Sequence, residues 1–351
     1  MFQPPFCPYS DCCTQQERVP FTWRHRGKYF RQCDGRWVRR FSCNTCDRRF
    51  STQTFKTDFR WRKPKLHFHV YDLFISKVTI RQIARIKKVR RPTIERRLLR
   101  LGRVCKDFHS VCLGQAKAKG GLFGEFVLDE LETYETDRRL SPVTMPVVVQ
   151  RHSFFVVHGE TAPLPARGKL SEYHRRKKEA RDEKVGKRKS GSKEAVRNTL
   201  QRLRSVHSRN WGISLATDKK TTYRTEFIKI AGPQFRCHRT TSSKAKRDRA
   251  NLLFPINHTF AMMRDSISRL VRRTWAASKL RQRLDLHFWI WVTYRNYIRG
   301  ITVSTETTPA QAAGVQFGAW DRTDLLRWRW PEIGIFGPLK GASFPITTLR
   351  L

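Results

Sequence analysis

The sequence predicts a multidomain α+β chain: a cysteine-rich ribbon module, a basic two-helix segment and a mixed α/β domain. Three observations predict it. Two cysteine pairs bracket a basic, strand-like run near the N-terminus. A helical pattern interrupted before Pro92 follows, and residues 121–165 read as three consecutive strands, the first ending on carboxylates. The expected boundaries are 1–62 for the cysteine module and 63–112 for the two-helix segment. Residues 113–300 form the mixed domain, with a basic insertion at 166–192, and 301–351 form a tail. Several domains also suit the length of 351 residues, because one core rarely organises more than about 250–300.

Charge bounds the function. The chain has 72 basic against 29 acidic residues, a formal net charge of +43. Such an excess repels itself unless a polyanion neutralises it, and DNA or RNA is the obvious partner. With 39% hydrophobic and 12% aromatic residues the chain can bury real cores. Ten tryptophans and a separate acidic cluster set it apart from a ribosomal protein. No run approaches the roughly 20 apolar residues of a membrane span. The opening MFQPPFCPYS lacks the layout of a signal peptide. The expectation is therefore a cytoplasmic protein without membrane contact, its nine cysteines reduced and serving as metal ligands or buried thiols.

In the first module Cys43 and Cys46 have the two-residue spacing of a zinc knuckle. Their partners are Cys7 with Cys12, or with Cys13 one residue on. A module this short is expected to need Zn2+ to fold, being too small for a hydrophobic core of its own. Cys33 reads as a bystander, and Cys105, Cys112 and Cys237 as core or surface thiols. Arg39 and Arg40 lead a basic face, with Arg24, Arg26, Lys28, Arg31 and Arg36, that suits phosphate contact.

Residues 76–102 have the pattern of a helix-turn-helix. Thr79 caps a first helix whose inner face is Ile80, Ile83, Ala84 and Ile86. Pro92 opens a second helix that turns Ile94, Leu98, Leu99 and Leu101 inward. Arg90, Arg91, Thr93, Arg96, Arg97 and Arg100 are left for a DNA groove. Lys88 stands where the turn usually has a glycine.

In the mixed domain a strand at 125–128 delivers Asp129, Glu130, Glu132 and Glu135, and strands at 143–150 and 153–159 follow. The insertion at 166–192 reads as a mobile or weakly helical basic arm. Helical periodicity returns at 193–207 through Val196, Leu200, Leu203 and Val206, and a strand at 211–217 ends on Asp218. This is the element order of the ribonuclease H-like fold, in which the first and fourth strands lie side by side. Asp129 and Asp218 would then meet and hold Mg2+, or Mn2+, over a phosphodiester. A third ligand must come from a helix read over 254–275, whose stripe is Phe260, Met263, Ile267, Leu270 and Val271. Asn257 flanks that stripe, whereas Asp265 is the helix's one acid but falls opposite it. Both remain candidates. Glu130, Glu132 and Glu135 read as salt-bridge partners, and Glu226 as an outward residue on a strand at 225–230.

Taken in order, these segments resemble bacterial insertion-sequence DDE transposases with an N-terminal zinc ribbon and helix-turn-helix. RRFSCNTCDRRFSTQTF resembles their ribbon, IRQIARIKKVRRPTIERRLLRLG their helix-turn-helix, and DELETYE and TDKKTTY their two aspartate motifs. SRLVRRTWAASK is similar to the basic helix after the third catalytic residue, and ETTPAQAAGV with WDRTDLLRWRW to their closing region. In those relatives a glutamate opens the third motif; here the equivalent position is Asn257, within INHT. The resemblance implies binding to the terminal inverted repeats of a mobile element, then Mg2+-dependent strand cleavage and transfer into target DNA. It further implies a homodimer or higher oligomer on DNA in the bacterial nucleoid. The departure at Asn257 keeps a rival open, an inactive, domesticated DNA-binding regulator; a generic nuclease or RNA-processing enzyme is a third.

The remaining C-terminal segments read as packing elements. Residues 284–298 form an aromatic helix for the sheet or a second subunit, with His287 as a core histidine. Short helices are expected at 307–314 and 322–330, and Trp320, Trp328 and Trp330 are assigned to core packing over base stacking.

Overall fold

The computed structural model describes residues 2–16, 19–56, 59–242, 244–246, 248–271 and 275–328. The chain divides into two compact units, Met1–His69 with Arg322–Leu351, and Val70–Asp321.

The first unit is built on an antiparallel sheet of β1 (Trp23–Arg31), β2 (Arg36–Cys43) and β3 (Arg49–Ser51), in that order. Gly35, at φ +67°, closes the turn between β1 and β2 in a conformation other residues adopt at a cost. The module does have a core. Phe41, Phe50 and Phe55 are buried with Cys7, Cys12 and Cys43, and Phe2, Phe6, Phe21 and Trp23 pack around them. The thiols are thus the centre of a small aromatic cluster, which corrects the expectation of a module without one.

Helix α1 spans Leu66–Ile75. In the second unit α2 (Ile80–Ile86) begins with a capping box between Thr79 and Gln82. α3 begins at Arg91 with Pro92 in its first turn and continues to Ala118, well past the expected end. Lys88 adopts the left-handed conformation itself, at φ 47°. Ile83 and Ala84 are buried, but Ile86 is exposed, against the expected inner face.

The second sheet contains β4 (Glu125–Tyr134), β5 (Pro142–Gln150), β6 (Val156–Gly159), β7 (Ala162–Pro163), β8 (Ile213–Asp218) and β9 (Phe235–Thr241). Its order is β6-β5-β4-β8-β9, with β7 paired to β5. β5 is antiparallel to β4 and β6, whereas β4, β8 and β9 are mutually parallel neighbours. The chain is therefore mixed α/β with a mixed sheet. Parallel neighbours require crossovers, usually helical. α4 (Glu172–Val185) and α5 (Ser192–Val206) lie between β6 and β8 in the chain, and α6 (Thr221–Ala231) joins β8 to β9.

That topological demand explains why the strand expected at 225–230 is instead α6. Tyr223, Phe227 and Ala231, four residues apart, are its buried stripe. The basic insertion folds as α4 without a buried residue, supported by the i,i+4 pairs Glu172–Arg176 and Lys178–Asp182.

α7 (Phe254–Ser266) stops short of the expected 275. At Ile267 the backbone turns extended, and a 3-10 turn over Ser268–Leu270 follows. That exit buries Arg269, whose Nη1 donates to Ser278 Oγ at 3.1 Å. α8 (Arg281–Thr293) runs into a π-helical turn, Tyr294–Ile298, where Asn296 hydrogen-bonds both backbone groups of Val156 in β6. The aromatic helix thus packs on the sheet. Its His287 is buried against the Phe74 carbonyl at 2.9 Å.

α3 and α8 touch through their backbones. A Cβ on Gly102 would come within 2.5 Å of Leu286 Cβ and 2.6 Å of its carbonyl oxygen, so glycine is required there. α9 (Pro309–Ala312) carries a Thr308 capping box, and Trp320 packs on Phe108 at 5.0 Å. α10 (Arg322–Arg327) belongs to the first unit. Trp330 lies outside the described residues.

Candidate functional site

Four cysteines form a group that could hold a metal ion, and the sequence-predicted carboxylates lie elsewhere, on the second sheet. In the first unit Cys7 and Cys12 precede β1, Cys43 ends β2, and Cys46 lies in the turn before β3. Their sulfurs all lie within 4.8 Å of one another. The Cys7–Cys46 separation is 3.7 Å and the Cys12–Cys43 separation 3.9 Å. Tetrahedral zinc with Zn–S bonds of about 2.3 Å has edges of about 3.8 Å, so the four thiols fit Zn2+ closely. Cys13 is exposed, which settles the choice between neighbours in favour of Cys12. Cys33, also exposed, is outside the cluster.

Arg48 braces this centre. Its guanidinium lies 4.2 Å from the Tyr9 ring and 2.8 Å from Asp11. Burial pushes the Cys7 thiol far up. Burial also raises Cys46, but hydrogen bonds from the Arg48 backbone and side chain outweigh it and bring that thiol down to about 7.

The second candidate is at the β4–β8 seam. Their parallel register pairs Glu125 with Ser214, Phe126 with Leu215 and Val127 with Ala216. The pairing ends there; the same register continued for two residues would set Asp129 beside Asp218. Asp129 Oδ1 accepts from the Glu130 N–H at 2.7 Å, and Asp218 Oδ1 from the Lys220 N–H at 2.9 Å. The buried Tyr223 on α6 lies within range of these acids and of Glu130. Its hydroxyl is pushed well above the usual range by burial and by the charges of Glu130, Asp129 and Asp218 together.

Glu130 has a structural task. Its carboxylate accepts from Thr144 Oγ1 at 2.7 Å, Ser192 Oγ at 3.0 Å and Lys220 Nζ at 2.7 Å. It thereby ties β4 to β5, to the start of α5 and to the residue before α6. Glu132 pairs with Arg167 and Glu135 with Arg188, as salt-bridge partners. Glu226 is corrected from outward to buried: its side chain is 1% exposed and accepts from Arg197 Nε at 2.9 Å. Sequence reasoning also passed over Lys220 and Tyr223; the four-residue spacing of Tyr223, Phe227 and Ala231 is the signal that could have found the latter.

α7 packs on β4 and β5. Half-buried Asn257 lies between Phe254 and His258, whose rings contact Phe154 in the β5–β6 turn at 6.3 and 5.4 Å. That turn follows Gln150, the partner of Phe126, whereas Asp129 pairs with Val147. Three strand residues correspond to about 10 Å. Asp265 lies eight residues further along the helix, 83% exposed, with Lys77 Nζ 3.8 Å away. Among the described residues the four cysteines are the group of three or more His, Cys, Asp or Glu poised to share an ion; Asp129 and Asp218 belong to no such group.

Of the basic candidates, Arg39, Arg40, Arg90, Arg91 and Arg96 are exposed, and Thr93 and Arg100 half-buried. Arg97 is buried at 4% exposure, a correction to its groove-facing assignment. Helical geometry places it on the face of Ile94, Leu98 and Leu101, which is the buried one. No helix among the described residues is long and apolar enough to cross a membrane. Comparison with protein-family models and with curated proteins finds no match for this chain.

Proposed function

We propose that this chain is a DNA transposase of the insertion-sequence DDE type, built on a ribonuclease H-like domain. One observation carries the reading: β4 and β8 are parallel neighbours in a register that, continued two residues past Val127 and Ala216, would set Asp129 beside Asp218. The strand order, with β5 as the one reversed strand along the path from β6 to β9, is the order that such a domain would have. A charge of +43 and a four-cysteine centre compatible with zinc add a DNA-binding apparatus.

Two carboxylates are the hard oxygen donors that Mg2+ or Mn2+ takes, and a bound ion there would stabilise charge on the phosphate under attack. Asp129 and Asp218 would hold and orient it. Glu130, occupied by Lys220 and two hydroxyls, would keep the two strands in register without joining the reaction. The zinc module with Arg39 and Arg40, and the α2–α3 segment with Arg90, Arg91, Thr93, Arg96 and Arg100, would bind the terminal repeats through phosphate and groove contacts. Synapsis of two element ends would make the working species a homodimer or larger on DNA, in the nucleoid.

A second reading is favoured by the α7 geometry. Asn257 is an amide, and Asp265 is exposed beside Lys77. On that reading the chain is a catalytically inactive, DNA-binding regulator derived from a transposase. Zinc-loaded full-length protein, incubated with a plasmid carrying its flanking inverted repeats, separates the two. Mg2+-dependent nicks at the repeat ends are expected of the transposase. Specific binding without nicks selects the regulator, and absence of repeat binding overturns both.

A further inference from the structure

We infer that the β1–β2 hairpin of the first unit is a base-stacking platform for single-stranded DNA. Phe30 and Trp37 are directly paired across the two strands, with ring centroids 5.5 Å apart at 64°. They are 50% and 61% exposed, and neither belongs to the aromatic core around the cysteines. Two large rings standing in water side by side form an exposed aromatic patch of the kind that marks interaction sites.

The charges around them identify the partner. Lys28 Nζ lies 4.9 Å from the Trp37 ring, and Arg39, paired with Lys28 and two residues from Trp37 on the same strand face, is exposed. The nearby acid Asp34 is matched by Arg31 and Arg36, at 3.1 and 2.5 Å. A ligand must therefore offer flat π faces and negative charge together, which unpaired nucleotides do and duplex DNA, with its bases stacked inside, does not. A second copy of the chain is disfavoured: a self-complementary contact would set Lys28 and Arg39 against their own equivalents. The choice of DNA over RNA rests on the transposase reading; the stacking itself does not.

The test is fluorescence anisotropy of a labelled oligothymidylate with zinc-loaded full-length protein, without Mg2+, beside a blunt duplex and an oligouridylate. Trp37→Ala and Phe30→Ala should each weaken single-strand binding by about 5- to 150-fold and leave duplex binding unchanged. Trp37→Phe should restore most of the loss. Zinc content, measured for each variant, excludes unfolding of the module. Unchanged single-strand affinity, or equal losses on single strand and duplex, overturns the proposal. So does a change of oligomeric state with single-strand binding intact, and tighter binding of the RNA overturns the assignment to DNA. Nicking plays no part in this measurement, so its outcome and that of the cleavage assay are separable.

Discussion

Stripping zinc should unfold the module spanning the four cysteines while the β4–β9 sheet unit stays folded. Cys7, Cys12 and Cys43 are buried within the aromatic cluster, and Cys46 packs against it. Removing the ion leaves three buried thiols and a fourth partly buried one, and releases the loops that carry them. Structural zinc contributes about 10–16 kcal/mol of apparent folding free energy in small domains. Each fully buried phenylalanine contributes about 1.5–3 kcal/mol, so Phe41, Phe50 and Phe55 cannot replace it. A chelator titration followed by near-ultraviolet circular dichroism should show loss of the module's aromatic signal as one zinc per chain leaves.

Cys43→Ala should reproduce that loss, and Cys13→Ser should not, because Cys13 is exposed and outside the cluster. Acidification should favour zinc release, since each thiolate ligand must take up a proton. A full aromatic signal with no zinc bound would refute the assignment.

The second large effect concerns the carboxylates. Asp129→Asn and Asp218→Asn should each lower repeat-end cleavage by on the order of a thousandfold. Ion-mediated stabilisation of the transition state amounts to several kcal/mol, and each 1.36 kcal/mol is tenfold in rate. Asparagine keeps size and polarity, so melting temperature and DNA affinity should hold.

Glu130→Gln should do the reverse. It weakens a partly buried network of Thr144, Ser192 and Lys220, so stability should fall by about 0.5–1.5 kcal/mol. Asp265→Ala should leave the rate unchanged, because that side chain is directed to solvent and Lys77. Full cleavage by Asp129→Asn protein would remove the catalytic reading.

Much of this was legible in the chain. Val196, Leu200, Leu203 and Val206 recur at helical spacing, and all four are buried on α5. The runs at 143–150 and 211–217 emerged as β5 and β8 within a residue or two at each end. The cysteine spacing identified four thiols that meet, and only proximity in space could separate Cys12 from Cys13.

What failed did so for tertiary reasons. Residues 225–230 alternate well enough for a strand, yet they follow a parallel strand whose next neighbour is also parallel, so a helix must intervene. Arg97 looked like one more groove-facing arginine, but its place beside Ile94 and Leu98 buries it. Glu226 alternates outward only on a strand; on α6 it is buried, and its partner Arg197 is on a different helix. The third position of the carboxylate edge was the least legible. Neither Asn257 nor Asp265 has a local pattern that reports distance from Asp129.

Iron-directed cleavage tests the central claim most directly. Fe2+ in place of Mg2+, with ascorbate and peroxide, cuts the backbone beside the ion it replaces. If Asp129 and Asp218 share one ion, fragments should end both near residue 129 and near residue 218, and both sets should vanish together in Asp129→Asn. Cuts at one of these positions without the other, or at neither, would contradict it.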